Sequence, residues 1–162
     1  MKYEQNANLE KVGSCFEFSF EAWNIATFLN KIVSATKGGG LIIDYGKESF
    51  SSNSLRAIGD HKFKGIFDNI GEVDLSVDVD FSALKNAFKD QITLGPISQR
   101  SFLTNMGIGK RLELLVAANP EKREEITNAV QRLVGTDEKS MGQAYKVMGV
   151  TTNDKLIIPF YM

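Results

Sequence analysis

The sequence predicts an α/β fold, and three stretches carry that prediction. Gly38-Gly39-Gly40 ends whatever precedes it, and Leu41-Ile42-Ile43-Asp44 comes next as a short apolar run closed by Asp44-Tyr45-Gly46. A continuous apolar run between glycines is the pattern of a central parallel strand covered on both faces. Ahead of it, Ala22, Ile25, Ala26, Leu29, Ile32 and Val33 recur at helical spacing. Further on, Val73 to Phe81 alternates strictly, apolar at odd positions and polar at even ones, the period of a strand with one wet face.

The elements can be taken in order. Residues 12–18 read as a strand end, and Ser19 as a helix N-cap with Glu21 favourably placed in the first turn. Gly38 is the expected stop. Strand, helix and the 39–44 strand then form a crossover unit, right-handed by default. Lys47 to Asn53 is a polar loop, Leu55 to Ile58 is too short to classify, and Asn69-Ile70-Gly71 is a turn. Asp80 can cap a helix bearing Phe81, Leu84 and Phe88. Ile92-Thr93-Leu94 reads as a strand stopped by Gly95-Pro96, after which Ser98 caps a helix that Gly107 ends. A further helix runs through Leu112, Leu115 and Val116. Asn119-Pro120 reads as an N-cap followed by proline at the first helical position, opening a helix to about Val134. Residues 144–150 and 155–160 read as a final pair of strands. The expected architecture is one α/β unit over residues 1–162, with a helical insertion before its last strands.

The 162 residues suffice for one domain. Nineteen basic and 20 acidic residues give a net charge of −1, which leaves no electrostatic footprint for nucleic acid or anionic lipid. No apolar run reaches the roughly 18 residues that a membrane span needs. The single cysteine, Cys15, excludes an intrachain disulfide and points to a reducing compartment. The polar segment Met1 to Lys11 has neither an apolar signal core nor an arginine-rich amphipathic face.

Several residues could carry chemistry. Asp44 and Tyr45 fall at the carboxyl end of the apolar strand, the edge where open α/β sheets bind ligands. His61, the only histidine, could act as a general base or be a loop residue bonded to backbone. Asp74, Asp78 and Asp80 would share one strand face, able to hold a cationic group or a hard metal ion, or simply to be solvated. The closing glutamate and spacing of a calcium loop are missing. Gly38-Gly39-Gly40 precedes a strand, whereas phosphate-cradling glycines follow one and open a helix. Phe16, Phe18, Phe20 and Trp23 read as core residues.

Five segments in order resemble a known family: residues 39–46 ending Asp-Tyr-Gly; Leu55-Arg56 with His61-Lys62-Phe63; 71–81 (GEVDLSVDVDF); 95–112 (GPISQRSFLTNMGIGKRL); and Met141-Gly142. Together they resemble the MidA-like S-adenosylmethionine-dependent methyltransferases, over roughly residues 12 to 148. Ser76 stands where that family usually has threonine, and Phe20 where it usually has proline. The resemblance implies a Rossmann-like class I methyltransferase that uses S-adenosyl-L-methionine. It further implies methylation of an arginine in a core subunit of mitochondrial respiratory complex I. The family's glycine-rich cofactor loop has no counterpart before Glu17, so the chain is expected to correspond to the carboxyl-terminal half, with cofactor-binding residues upstream. On this reading Asp44, Tyr45, His61 and Asp80 are the catalytic candidates. Asp74, Asp78 and Gln99 are the substrate-binding ones, and no metal is expected. The other expectation is a non-catalytic interaction protein that keeps only the partner-facing half.

Overall fold

The computed structural model describes residues 12–13, 16–49, 53–153 and 159–160. Helix α1 (Phe20–Thr36) starts where Ser19 accepts a hydrogen bond from the Ala22 N–H, as the sequence predicts. It ends one residue earlier than expected: Lys37, rather than Gly38, takes the left-handed conformation. Residues 16–19 are irregular, so no strand among the described residues precedes α1 and the expected crossover is not seen. Cys15 and the segment 154–158, which holds most of the strand expected at 155–160, lie outside the described residues.

Strand β1 (Gly39–Lys47) is central to a four-stranded sheet ordered β5-β1-β7-β6. It runs antiparallel to β7 (Tyr145–Thr151) along its length, from Gly39↔Thr151 to Tyr45↔Tyr145. Its other edge meets β5 (Val79–Asp80) in parallel only at Gly46 and Lys47. Burial corrects the expectation of a strand covered on both faces. Ile42 packs toward the core, while Leu41 and Ile43 remain 53% and 50% exposed.

A second, three-stranded antiparallel sheet is ordered β3-β2-β4, from β2 (Arg56–Gly59), β3 (Lys62–Lys64) and β4 (Asp74–Ser76). The alternating stretch 73–81 is therefore not one strand. It pairs with β2 as β4, leaves that sheet after Ser76, joins β1 as β5, and enters helix α2 (Phe81–Ala87) at once. The apparent period of two is the sum of two short strands and the first helical residue. Asp74, Asp78 and Asp80 consequently do not share a face.

The core lies between α1, α2 and the four-stranded sheet. Ala26, Val33, Phe81, Leu84, Ala87, Phe88, Met148 and Val150 are buried together, with Ala22, Trp23, Leu29 and Ile42 packed against them. A second apolar stripe on α1 (Ile25, Phe28, Ile32) stays exposed. Strand β6 (Ile92–Ser98) does not stop at Gly95-Pro96: it passes through a bulge between Leu94 and Ile97 and continues along β7. The predicted helical insertion between β6 and β7 is present as α3 (Gln99–Asn105), α4 (Ile108–Ala118), a 3₁₀ turn at Pro120–Lys122 and α5 (Arg123–Val134). Ser98 caps α3, as expected. Asn119 does not cap the 3₁₀ turn: its side-chain amide donates to the Leu115 carbonyl and closes α4 instead.

Candidate functional site

Two sheets meet where β1 ends. Gly46 permits the meeting, because a Cβ at that position would lie 2.1 Å from the Val79 carbonyl oxygen. Only glycine lets β5 close on β1 there. This brings the Val77–Asp80 segment beside Tyr45.

Tyr45 is half-buried, and its hydroxyl lies 2.5 Å from Ser76 Oγ. Tyr145, its antiparallel neighbour, meets its ring edge-on at 5.6 Å between centroids. The Arg56 guanidinium sits over the Tyr45 ring, 5.0 Å from the centroid. The same guanidinium donates through Nη1 to Asp78 Oδ1 at 2.9 Å and to the Ser54 carbonyl at 3.3 Å. Ser54 Oγ in turn accepts from the Asp78 backbone N–H at 3.0 Å.

Glu17 fastens the segment ahead of α1 to this group. Its carboxylate accepts from the N–H groups of Ser54 and Leu55, at 2.8 and 3.0 Å, and from the Ser54 hydroxyl. Desolvation pushes the Glu17 carboxyl upward, but the Ser54 hydroxyl, the two N–H donors and the Arg56 charge together outweigh it and hold the group below its ordinary range. A cleft of about 500 Å³ lies between this segment and β5–α2. Phe16, Phe18 and Trp23 form its aromatic wall; Trp23 also packs against the core, as expected, whereas Phe16 and Phe20 are 41% and 71% exposed and are not core residues. Four carboxylates, from Glu17, Glu21, Asp78 and Asp80, line the cleft, and among the described residues no lysine or arginine does.

The predicted residues divide in this frame. Asp78 and Asp80 line the cleft, although Asp80 Oδ1 also accepts from the Ser82 and Ala83 N–H groups as the N-cap of α2. Tyr45 stands one layer behind, through Arg56. Asp44 bonds the N–H of Tyr45 and does not line the cleft. His61 lies at the exposed tip of the β2–β3 hairpin, where it and Asp60 both have positive φ, the two-residue hairpin turn. Asp74 is exposed on β4. Gln99 is 8% exposed and donates to the Leu133 carbonyl at 2.8 Å, tying α3 to the end of α5. Sequence reasoning gave no site role to Glu17 or Ser54, and noted Ser76 only as a departure from the family pattern. Among the described residues no helix is long and apolar enough to cross a membrane, and no group of acidic, cysteine or histidine side chains is arranged to hold a metal ion.

The structure is a mixed α/β fold with an antiparallel strand beside β1 and an acidic, aromatic cleft next to β5. Its likeness to solved methyltransferase structures makes the fold Rossmann-like. Residues 2–97 match the family described as "Putative S-adenosyl-L-methionine-dependent methyltransferase". Because the match covers more than half of the chain, the chain belongs to that family. It is 34% identical over 142 residues to the zebrafish (Danio rerio) protein named "Protein arginine methyltransferase NDUFAF7, mitochondrial", covering 86% of this chain and 33% of that one. The human protein of the same name is 31% identical over 131 residues, covering 79% and 29%. A superfamily protein from Burkholderia thailandensis, solved bound to S-adenosyl-homocysteine, superposes with a TM-score of 0.68 at 27% identity, over 81% of this chain and 37% of that one. The chain thus spans about a third of the length of the curated relatives it matches.

Proposed function

We propose that this chain supplies the acceptor side of an S-adenosyl-L-methionine-dependent protein arginine methyltransferase. We further propose that it acts in mitochondria on an arginine of a core subunit of respiratory complex I. The observation that carries the reading is the cleft: aromatic walls, four carboxylates and, among the described residues, no basic side chain, at the carboxyl end of β1. The names of the relatives favour catalysis over a purely adhesive role. The mitochondrial setting rests on those names, and the complex I subunit on the family resemblance alone.

The cofactor supplies a methyl group on a positively charged sulfur. The described residues contain no glycine-rich turn leading from a strand into a helix. They fit the acceptor. A guanidinium entering the cleft meets Glu21 and Asp78, whose carboxylate also accepts from Arg56, whereas Glu17 and Asp80 are engaged with backbone N–H donors. A carboxylate holding two guanidinium nitrogens fixes the plane of the group and turns the third nitrogen toward the methyl donor. It also opposes the charge on the guanidinium and stands ready to accept the proton that the attacking nitrogen loses.

The test is transfer of a labelled methyl group from S-adenosyl-L-methionine to the complex I core subunit, with wild type and Asp78→Asn compared. Transfer to arginine that falls by at least about tenfold in the variant supports the reading. Undiminished transfer by Asp78→Asn contradicts the role given to the cleft.

A further inference from the structure

Asp78 belongs to two environments at once. It lines the cleft, and it is the counter-ion of Arg56. The contact between them joins one guanidinium nitrogen to one carboxylate oxygen, with the two side chains 31% and 21% exposed. Water reaches such a pair, and it lacks the parallel fork that makes guanidinium–carboxylate contacts strong. The remaining hold on Arg56 comes from the Tyr45 ring and the Ser54 carbonyl, neither of which lines the cleft.

We infer that Arg56 is an internal guanidinium that competes with the incoming arginine side chain for the carboxylate of Asp78. At rest Arg56 neutralises Asp78 and keeps it oriented at the cleft wall. An arginine entering from the aromatic side offers two parallel N–H groups and takes the carboxylate over. Arg56 stays stacked on Tyr45, so the exchange does not strand its charge. The device selects among cations: a lysine ammonium is a point charge without the fork, and displaces Arg56 less well. This inference rests on the arginine reading of the cleft and names the residue that sets its selectivity.

The experiment is calorimetric binding of N-acetyl-arginine amide to the full chain, with the matching lysine and citrulline amides as probes of charge and shape. Arg56→Met keeps the apolar stem and removes the competitor. It is expected to bind the arginine probe about tenfold more tightly than wild type, the size of an ordinary coupling between two ligands of one group. The lysine and citrulline probes are expected to gain less. Arg56→Lys is expected to fall between wild type and Arg56→Met, and guards against a folding defect in the methionine variant. Asp78→Asn is expected to abolish arginine binding and to make Arg56→Met silent in the double variant. Equal or weaker arginine binding by both folded Arg56 variants, or no binding by any form, overturns the exchange. Tighter binding without methyl transfer to arginine would keep the exchange and overturn the proposed reaction. Methyl transfer to arginine unaffected by Arg56→Met would keep the reaction and overturn the exchange.

Discussion

The guanidinium of Arg56 lies 5.0 Å from the centroid of the Tyr45 ring, although the two residues belong to different sheets. Tyr45 closes the four-stranded sheet's central strand, and Arg56 opens the middle strand of the three-stranded one. Their stacking and the Arg56–Asp78 ion pair connect the two sheets at the mouth of the cleft. The properties of the site derive from that junction.

Tyr45→Phe keeps the ring and removes the hydroxyl that faces Ser76. It is expected to cost about 1 kcal/mol in urea-melt stability, the net worth of one hydrogen bond, and to leave arginine-probe binding unchanged. Tyr45→Leu removes the face on which Arg56 rests. Binding of the arginine probe should then weaken while the circular dichroism spectrum is retained.

Gly46→Ala would place a methyl group 2.1 Å from the Val79 carbonyl. The β1–β5 seam must open to admit it, at a cost of about 1–3 kcal/mol. Because β5 leads directly into Asp80 and α2, arginine-probe binding should decline together with the melting temperature.

Asp80 serves as both cap and cleft wall. Asp80→Ala is expected to lower stability by about 1 kcal/mol, as cap removals do, and Asp80→Asn by a few tenths. Loss of methyl transfer in the asparagine variant, with its melting temperature kept, would assign Asp80 chemistry beyond the cap. The core sets the larger scale: Phe88, fully buried beside α1 and β7, should cost about 3–5 kcal/mol on replacement by alanine.

Glu17 predicts a pH dependence. Its carboxyl is held below the ordinary value of 4.5, so the unfolded chain binds the proton more readily than the folded one. The contribution of Glu17 is fully present above that ordinary value and is lost as the pH falls through the lower, folded value. Melts of wild type and Glu17→Gln should therefore differ near neutrality and converge in acid. A constant difference down to acid pH would show that ionisation of Glu17 does not fasten the 16–19 segment.

Much of the fold was legible because its signals are local. Ser19, Asp80 and Ser98 each announce a helix through a side-chain oxygen that reaches an N–H two or three residues ahead. The alternation from Val73 to Phe81 misled because period two records which way side chains point, not which sheet a residue joins, and the chain changes sheets after Ser76. Gly95-Pro96 resembles a stop, yet the bulge absorbs it while β7 remains paired on both sides. The site was half legible. Tyr45 and Asp78 could be proposed from position, but the bonds that organise them span 22 to 31 residues. No spacing rule reports that Glu17 reaches Ser54, or that Arg56 bridges Tyr45 and Asp78. His61 attracted notice as the only histidine, but no sequence signal placed it at the turn of the β2–β3 hairpin, where its φ is positive.

The most direct test of the proposed reaction is to identify, by mass spectrometry, the acceptor atom that carries the methyl group after incubation with S-adenosyl-L-methionine and the complex I core subunit. A methyl group on a guanidinium nitrogen of arginine, lost in Asp78→Asn, is the expected result. A methyl group on lysine, on a carboxylate or on the amino terminus would contradict it.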